Sequence, residues 1–358
     1  MAKDRYIIPF FIPHIGCPHD CVFCSQNKIT GRERSILPEE ILPTVLEYRA
    51  TFPKDVGRIE VAFFGGSFTG IPLPLQNAFL QQAHAAKEKG LIDEIRLSTR
   101  PDYINKDIME NIKRHGVDTV ELGVQSMNDR VLDLSQRGHT AEDVVYASGL
   151  IRGYGFELGL QMMVGLPGSD RESEVYTAAR VCDLGPDFVR IYPALVIKGT
   201  ALEDMFKEGT YRPLPLKEAV ETCVILAQMF ARERIKVIRM GLQPTDLINE
   251  GGEVVAGPFH PSFRQLVDSR LVLKVIGKVI DQRGLSLGAG LVIEVNPRAM
   301  STLKGIGKES IKTLKETYPG LDIKVSGNGS LGETVLRFIS GDSLSEVDYR
   351  RVLEKGID

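Results

Sequence analysis

The sequence has no run of about 18 apolar residues, the length a membrane-spanning helix needs. Its opening stretch, MAKDRYIIPF, has neither the apolar core nor the cleavage site of a secretory leader. No membrane partner is therefore expected, and a cytoplasmic location is. Charge of one sign is also lacking. A formal net charge of -3 excludes a global pull toward nucleic acid, so a nucleic-acid partner has to be met by a local patch. Cysteine is scarce at five residues, an odd number that in a reducing compartment argues against a disulfide framework. No short-period repeat or low-complexity tract is present. What remains is ordinary globular material, 43% hydrophobic and 25% charged, and 358 residues suffice for one large domain and a small one.

Short apolar runs alternate with helical stretches, the pattern of βαβ units around a parallel sheet. The runs are RYIIPFFI (5 to 12), RIEVAFF (58 to 64), EIRLS (94 to 98), TVELGV (119 to 124), ELGLQMMV (157 to 164) and FVRIY (188 to 192). The segments between them carry apolar residues at spacings of three and four, and four of them end at glycine, a common helix stop. Six strands and five helices predict an α/β fold, an open six-stranded partial (β/α) barrel. In such a sheet the loops beyond the carboxyl ends of the strands collect function, because helix N-termini and free backbone groups converge there. Five such loops carry signals: CPHDCVFC (17 to 24), GGSFTG (65 to 70), TRPD (99 to 102), QSMND (125 to 129) and GLPGSD (165 to 170).

Cys17, Cys21 and Cys24 are spaced C-x3-C-x2-C, while Cys182 and Cys223 lie far off in helical sequence. A structural zinc site wants a fourth ligand, which His14 or His19 could supply. A cubane iron-sulfur cluster also takes four, so three cysteines leave one iron open.

This spacing, with an aromatic residue before the third cysteine, resembles the signature of the radical S-adenosylmethionine (SAM) enzymes over about residues 5 to 260. The resemblance implies that Cys17, Cys21 and Cys24 ligate a 4Fe-4S cluster whose open iron chelates SAM, with Phe23 near the adenine. It also implies reductive cleavage of SAM to a 5'-deoxyadenosyl radical, and an electron donor such as flavodoxin or ferredoxin. Gly65, Gly66 and Ser67 correspond to the family's glycine pair, which meets the methionine amino group through backbone. Arg100 is the candidate for the methionine carboxylate, because a guanidinium can make two parallel bonds to it. Gln125 is the candidate for the ribose. Glu121 is open to a second reading as a core acid paired with a neighbour, and Met162 and Met163 as plain core. Within the superfamily, the ordered series CPHDCVFC, FFGGSFTG, STRPD, VELGVQS, RGHT, GLPG and IYPALVIKGTALEDMFKEGTY resembles the radical domain of the Elongator catalytic subunit, which modifies wobble uridine in transfer RNA. It is less similar to oxygen-independent coproporphyrinogen oxidase. No glycine-rich acetyl-coenzyme A loop is legible after residue 260.

The C-terminal stretch reads as strand (290 to 297), two helices (298 to 305 and 308 to 319), strands at 321 to 327 and 333 to 339, and a final helix at 344 to 356. That order resembles a KH module, whose G-x-x-G loop clamps nucleotide backbone. Here the loop reads Gly305, Ile306, Gly307, Lys308, with lysine at the second glycine position. Lys304, Lys308, Lys312 and Lys315 recur at helical spacing and form a candidate RNA-binding stripe, or else a solvated face. The expected organisation is a catalytic domain over 1–260, a helical connector over 261–289 and a KH-like α+β domain over 290–358. Transfer RNA or another RNA is the leading substrate. The alternatives are a radical SAM enzyme acting on a small molecule, such as a porphyrinogen or a free modified nucleobase, a non-catalytic iron-sulfur or zinc RNA-binding protein, and a cluster protein for haem trafficking.

Overall fold

The computed structural model describes residues 5–12, 21–24, 36–53, 55–242, 244, 248–249, 251–283 and 290–357. The chain divides into two compact units, Met1–Pro215 with Val237–Phe259, and Leu216–Lys236 with His260–Asp358. Relative to the expected boundaries at 260 and 290, the helices Leu216–Arg232 and Phe263–Arg283 both fall in the second unit.

In the first unit the strands are β1 (Arg5–Ile12), β2 (Arg58–Gly65), β3 (Glu94–Thr99), β4 (Thr119–Gln125), β5 (Glu157–Val164) and β6 (Phe188–Pro193). Each pairs in parallel with the next. Parallel neighbours need crossovers, and helices supply them: α1 (Ile41–Thr51), α2 (Leu73–Glu88), α3 (Lys106–Arg114), the pair α4 (Asp129–Leu134) and α5 (Ala141–Gly153), and α6 (Arg171–Leu184). Burial on both faces explains the near-continuous apolar runs, since Ile59, Val61, Ala62 and Phe63 of β2 all lie in the core.

Among the described residues the sheet has seven strands instead of the expected six, β1 to β6 in chain order and a further edge strand beyond β6. After the two-residue β7 (Val196–Ile197), α7 (Ala201–Lys207) and α8 (Leu216–Arg232), the edge strand β8 (Lys236–Met240) joins β6. Its residues are mostly exposed or half-buried and include Lys236 and Arg239, so it carries no apolar run. β9 (Val254–Ala256) pairs with β7 in a separate ribbon.

A repeated device closes the amino ends of the strands. Asp93, Asp118 and Asp187, just before β3, β4 and β6, each accept a backbone N–H from the neighbouring strand: Ile59 at 2.7 Å, Ile95 at 2.8 Å and Leu158 at 2.8 Å. These bonds satisfy donors that the ladder leaves free and set the register of one strand on the next.

Further along the strands lies a buried charge layer. Arg96 of β3 donates to Glu60 of β2 at 2.8 Å and to Glu121 of β4, and Arg190 of β6 makes a two-point contact with Glu121 at 2.8 and 2.9 Å. Glu121 is thus the paired core acid of the second reading. Gly159 of β5 leaves the room for it, because a Cβ there would meet the Phe188 ring at 2.4 Å and Glu121 Cγ at 2.9 Å.

The second unit holds α8, α9 (Phe263–Arg283), β10 (Gly290–Val295), α10 (Met300–Lys304), α11 (Glu309–Thr317), β11 (Asp322–Gly327), β12 (Val335–Ser340), β13 (Ser343–Asp348) and α12 (Tyr349–Lys355). Its sheet runs β11-β10-β12-β13, with β10 parallel to β11 and antiparallel to β12. The expected helix over 344 to 356 does not begin at 344. Residues 343–348 form the edge strand β13, hairpinned to β12 through Gly341 and Asp342, and the helix occupies only the last turns. A Gly-Asp pair between two strands is a hairpin signal, but Leu344 and Val347 at a spacing of three imitate a helix. Overall the fold is the expected class, a partial (β/α) barrel with a small α+β unit.

Candidate functional site

The described part of the cysteine loop is one tight turn, in which the Cys24 N–H donates to the Cys21 carbonyl at 2.9 Å. Val22 anchors it, with its N–H on the Ser135 carbonyl at 3.1 Å and its carbonyl accepting from Leu202 at 2.7 Å. The Val22 side chain packs with Val196, Leu202 and Tyr211. Phe23 reaches a second cluster of Val131, Leu166 and Ala194, beside Met163. The two apolar residues between the cysteines therefore pin the turn to the loops after β4, β5 and β6. Cys17 lies outside the described residues.

β2 ends in the glycine pair. The left-handed conformation falls on Gly65, at φ +93°, where a Cβ would sit 3.2 Å from the Ile12 carbonyl oxygen. Gly66 donates its N–H to that same oxygen at 3.2 Å, tying the β2 loop to the end of β1. Ser67 is buried, and its carbonyl accepts from Gly70 at 3.0 Å. Thr69 and Thr99 share a buried hydroxyl contact of 2.6 Å that joins the loops after β2 and β3.

Arg100, only 1% exposed, begins the loop after β3. One edge of its guanidinium grips Asp102 at 2.9 and 3.0 Å, and its Nη1 lies 3.9 Å from Cys21 Sγ. The structure thus brings Arg100 to a cysteine, with a carboxylate of the chain itself already on its fork. Gln125 ends β4 at φ +66°, next to a register shift between Gly123 and Gln125. A non-glycine residue in that region costs about 1 kcal/mol or more and tends to mark a functional turn. Its Oε1 lies 3.4 Å from Gln161 Nε2.

Three site residues are absent from the sequence-based assignment. Arg137, in the quoted RGHT, donates to Cys21 Sγ at 3.4 Å and to the Gly123 carbonyl at 2.8 Å. His139 is buried, with Nε2 3.2 Å from the Val124 carbonyl; burial, reinforced by Arg137 and Arg100, pushes its pKa down to about 3, so it stays neutral. A Cβ at Gly123 would meet Arg137 Nη2 at 2.7 Å and Gln125 Nε2 at 2.9 Å, so a side chain there would push both groups from their places. The only signal in the sequence was the basic pair of RGHT, which carries no spacing rule of its own.

In the loop after β5, Glu174 of α6 accepts the Gly165 N–H at 2.6 Å and the Ser169 hydroxyl at 3.1 Å, while the Tyr211 hydroxyl donates to the Gly165 carbonyl at 2.6 Å. Burial raises the Glu174 pKa from 4.5 to about 7, against the two hydrogen bonds. Because the folded form holds the proton more tightly than the unfolded chain, stability contributed here is present at low pH and declines as pH rises from about 4.5 through 7. At about 1.4 kcal/mol for each pH unit, the loss is on the order of 3 kcal/mol. Glu174→Gln keeps the acceptor and cannot ionise. Thermal unfolding of both proteins between pH 5 and 8 should show the wild type losing stability relative to the variant, and parallel profiles would refute this.

The Radical SAM superfamily matches residues 11–180, and the Radical SAM C-terminal domain matches residues 186–272. The chain belongs to the radical SAM superfamily. Among its relatives is a tRNA uridine(34) acetyltransferase of Methanocaldococcus jannaschii, 30% identical over 244 residues, covering 57% of this chain and 45% of that protein. Another is Elongator complex protein 3 of Homo sapiens, 29% identical over 303 residues, covering 74% of this chain and 54% of that protein. The chain spans about half the length of the curated relatives it matches. The solved structure of archaeal Elp3 from Methanocaldococcus infernus matches 98% of this chain and 76% of that one, with a TM-score of 0.61 and 20% identity, which shows a common fold.

Membership in the radical SAM superfamily implies a 4Fe-4S cluster and SAM, and the described residues fit an anionic cluster. Arg137 is a buried cation with no carboxylate within ion-pair distance among the described residues, and it points at a cysteine sulfur. Cys21 and Cys24 share one turn. Among the described residues, no helix is long and apolar enough to cross a membrane.

The lysine stripe belongs to the second unit. Lys308, Lys312 and Lys315 are exposed, while Lys304 is half-buried on α10, cut off from α11 by the loop at 305–308. Among the described residues none of the four makes an ion pair, although Glu309 and Glu316 flank them; Glu309 lies 3.6 Å from Arg270. Lys308 holds φ +61° and ψ 26°, the left-handed conformation a glycine would take, so the loop departs from G-x-x-G in residue type and keeps a glycine-like backbone. Gly305 and Ile306 line, with α8 and α9, a cleft of about 270 Å³.

Proposed function

We propose that this chain is a radical SAM enzyme acting on RNA, with transfer RNA as the leading substrate. It would hold a 4Fe-4S cluster on Cys17, Cys21 and Cys24 and bind SAM over the glycine pair. The observation that carries the catalytic part is the Cys21 turn, pinned among the strand-end loops with two buried guanidinium groups at its sulfur. When bound, the cluster and SAM supply a 5'-deoxyadenosyl radical able to take a hydrogen atom from a substrate. The chain's own residues position that chemistry. Gly65 and Gly66 offer backbone without side chains, Gln125 presents its amide from a strained turn, and Phe23 and Met163 give an apolar wall that excludes water. The RNA part rests on relatives named for uridine 34 of tRNA and on four lysines that make no ion pair among the described residues.

The first test is anaerobic reconstitution with SAM and dithionite followed by assay for 5'-deoxyadenosine. A brown protein that forms none would leave only a non-catalytic cluster protein. The second test addresses the substrate. Changing Lys304, Lys308, Lys312 and Lys315 together to Gln should weaken binding of the full chain to bulk transfer RNA and flatten its salt dependence, by up to about 0.7 to 0.9 in log-log slope for each lysine that meets a phosphate. An unchanged slope, with turnover intact, would favour a small-molecule substrate.

A further inference from the structure

Arg137 poses a charge problem that its position solves. It is 7% exposed, and its three nitrogens are disposed unevenly: Nη1 donates to Cys21 Sγ at 3.4 Å, Nη2 donates to the Gly123 carbonyl at 2.8 Å, and Nε finds no acceptor among the described residues. Arg100 beside it is neutralised by Asp102, but no carboxylate among the described residues lies within 4.0 Å of Arg137. A buried, uncompensated guanidinium is costly, and among the described residues the group placed to supply its counter-charge is the one it faces. That group is a cysteine sulfur, anionic only as a thiolate or a metal ligand.

Resting on the cluster reading above, we infer that Arg137 is a positioning residue that sets the reduction potential of the iron-sulfur cluster through its hydrogen bond to Cys21 Sγ. Hydrogen bonds to ligating sulfurs tune cluster potentials. The direction follows from charge. One-electron reduction adds a negative charge to the cluster and its thiolates, and a donor and fixed cation at the sulfur stabilise the reduced form more than the oxidised one. The potential is therefore higher with Arg137 than without it. The bond to Gly123 gives the guanidinium a fixed seat, and a side chain at 123 would displace it.

The test uses the reconstituted holoenzyme of wild type, Arg137→Gln and Arg137→Lys, each assayed for iron and sulfide and then titrated potentiometrically under strict anaerobiosis, with the reduced cluster read by electron paramagnetic resonance. Arg137→Gln is expected to make reduction at least tenfold less favourable, a shift of 59 mV to lower potential for a one-electron couple. Arg137→Lys, which keeps the charge but not the seat, should shift in the same direction by less. Potentials equal to wild type in variants with full iron would overturn the inference, as would unchanged potential accompanied by weakened SAM binding, which would place Arg137 on the cofactor instead. If Arg137→Gln fails to load iron, the lysine variant decides alone. A wild type that binds no cluster would sink the functional reading itself, a distinct result.

Discussion

Replacing Cys21 or Cys24 by Ala is expected to abolish the brown chromophore, the bound iron and the formation of 5'-deoxyadenosine, whereas Cys182→Ala and Cys223→Ala should retain all three. Each ligand lost leaves a cubane with too few thiolates to be held, so the effect is nearly all or none. The same result is expected for Cys17→Ala on sequence spacing. Cys182 lies in α6 and Cys223 in α8, both within helical segments of the chain and remote in sequence from the Cys21 turn. Iron analysis after reconstitution checks this directly, and a requirement for Cys182 would break the three-cysteine assignment.

The largest expected effect on stability belongs to Glu121. It accepts from two buried arginines, Arg96 and Arg190, and the Arg190 contact is bidentate. Glu121→Gln leaves Arg190 in the sheet interior with no carboxylate on it among the described residues, while Arg96 keeps Glu60, a loss of about 3 to 5 kcal/mol for breaking one partner of a buried pair. Asp183→Asn is the control. Its pairing with Arg180 is exposed, 3.7 Å long and one turn apart on α6, and such pairs contribute about 0 to 1 kcal/mol. Denaturant unfolding of the two variants should separate by several kcal/mol. Similar small losses in both would mean that the charge layer is hydrated and loosely held.

Much of the first unit was legible because its physics is local. The six runs taken as strands match β1 to β6 to within one residue at their ends, since strands buried on both faces read as continuous apolar segments. The cysteine spacing, the glycine pair and the basic residue after β3 were visible as types at fixed separations. What escaped depends on neighbours distant in sequence. Arg137 matters because it reaches Cys21, 116 residues away. Glu121 was ambiguous until Arg96 and Arg190 were placed on either side of it. The aspartates at 93, 118 and 187 form a recurring signal at the start of strands, but their partners sit on the preceding strand in space. β8 and β13 are half-exposed edge strands, so neither carries the apolar run that identifies a central strand. The lysine at 308 departs from the expected glycine by type, and only its backbone angles show that the loop tolerates it.

The order of segments along the chain bears on how this protein can be taken apart. Residues 216 to 236 belong to the second unit but are bracketed by segments of the first, which resumes at Val237 and leaves again after Phe259. A single truncation therefore cannot deliver either unit whole. A fragment ending at 215 lacks the seventh strand, and one starting at 260 lacks α8, whose Val220, Cys223, Val224 and Phe230 are core side chains. Excision of the second unit requires rejoining two pieces with a designed linker, and a genetic fusion that respects both units has to be made at the ends of the chain.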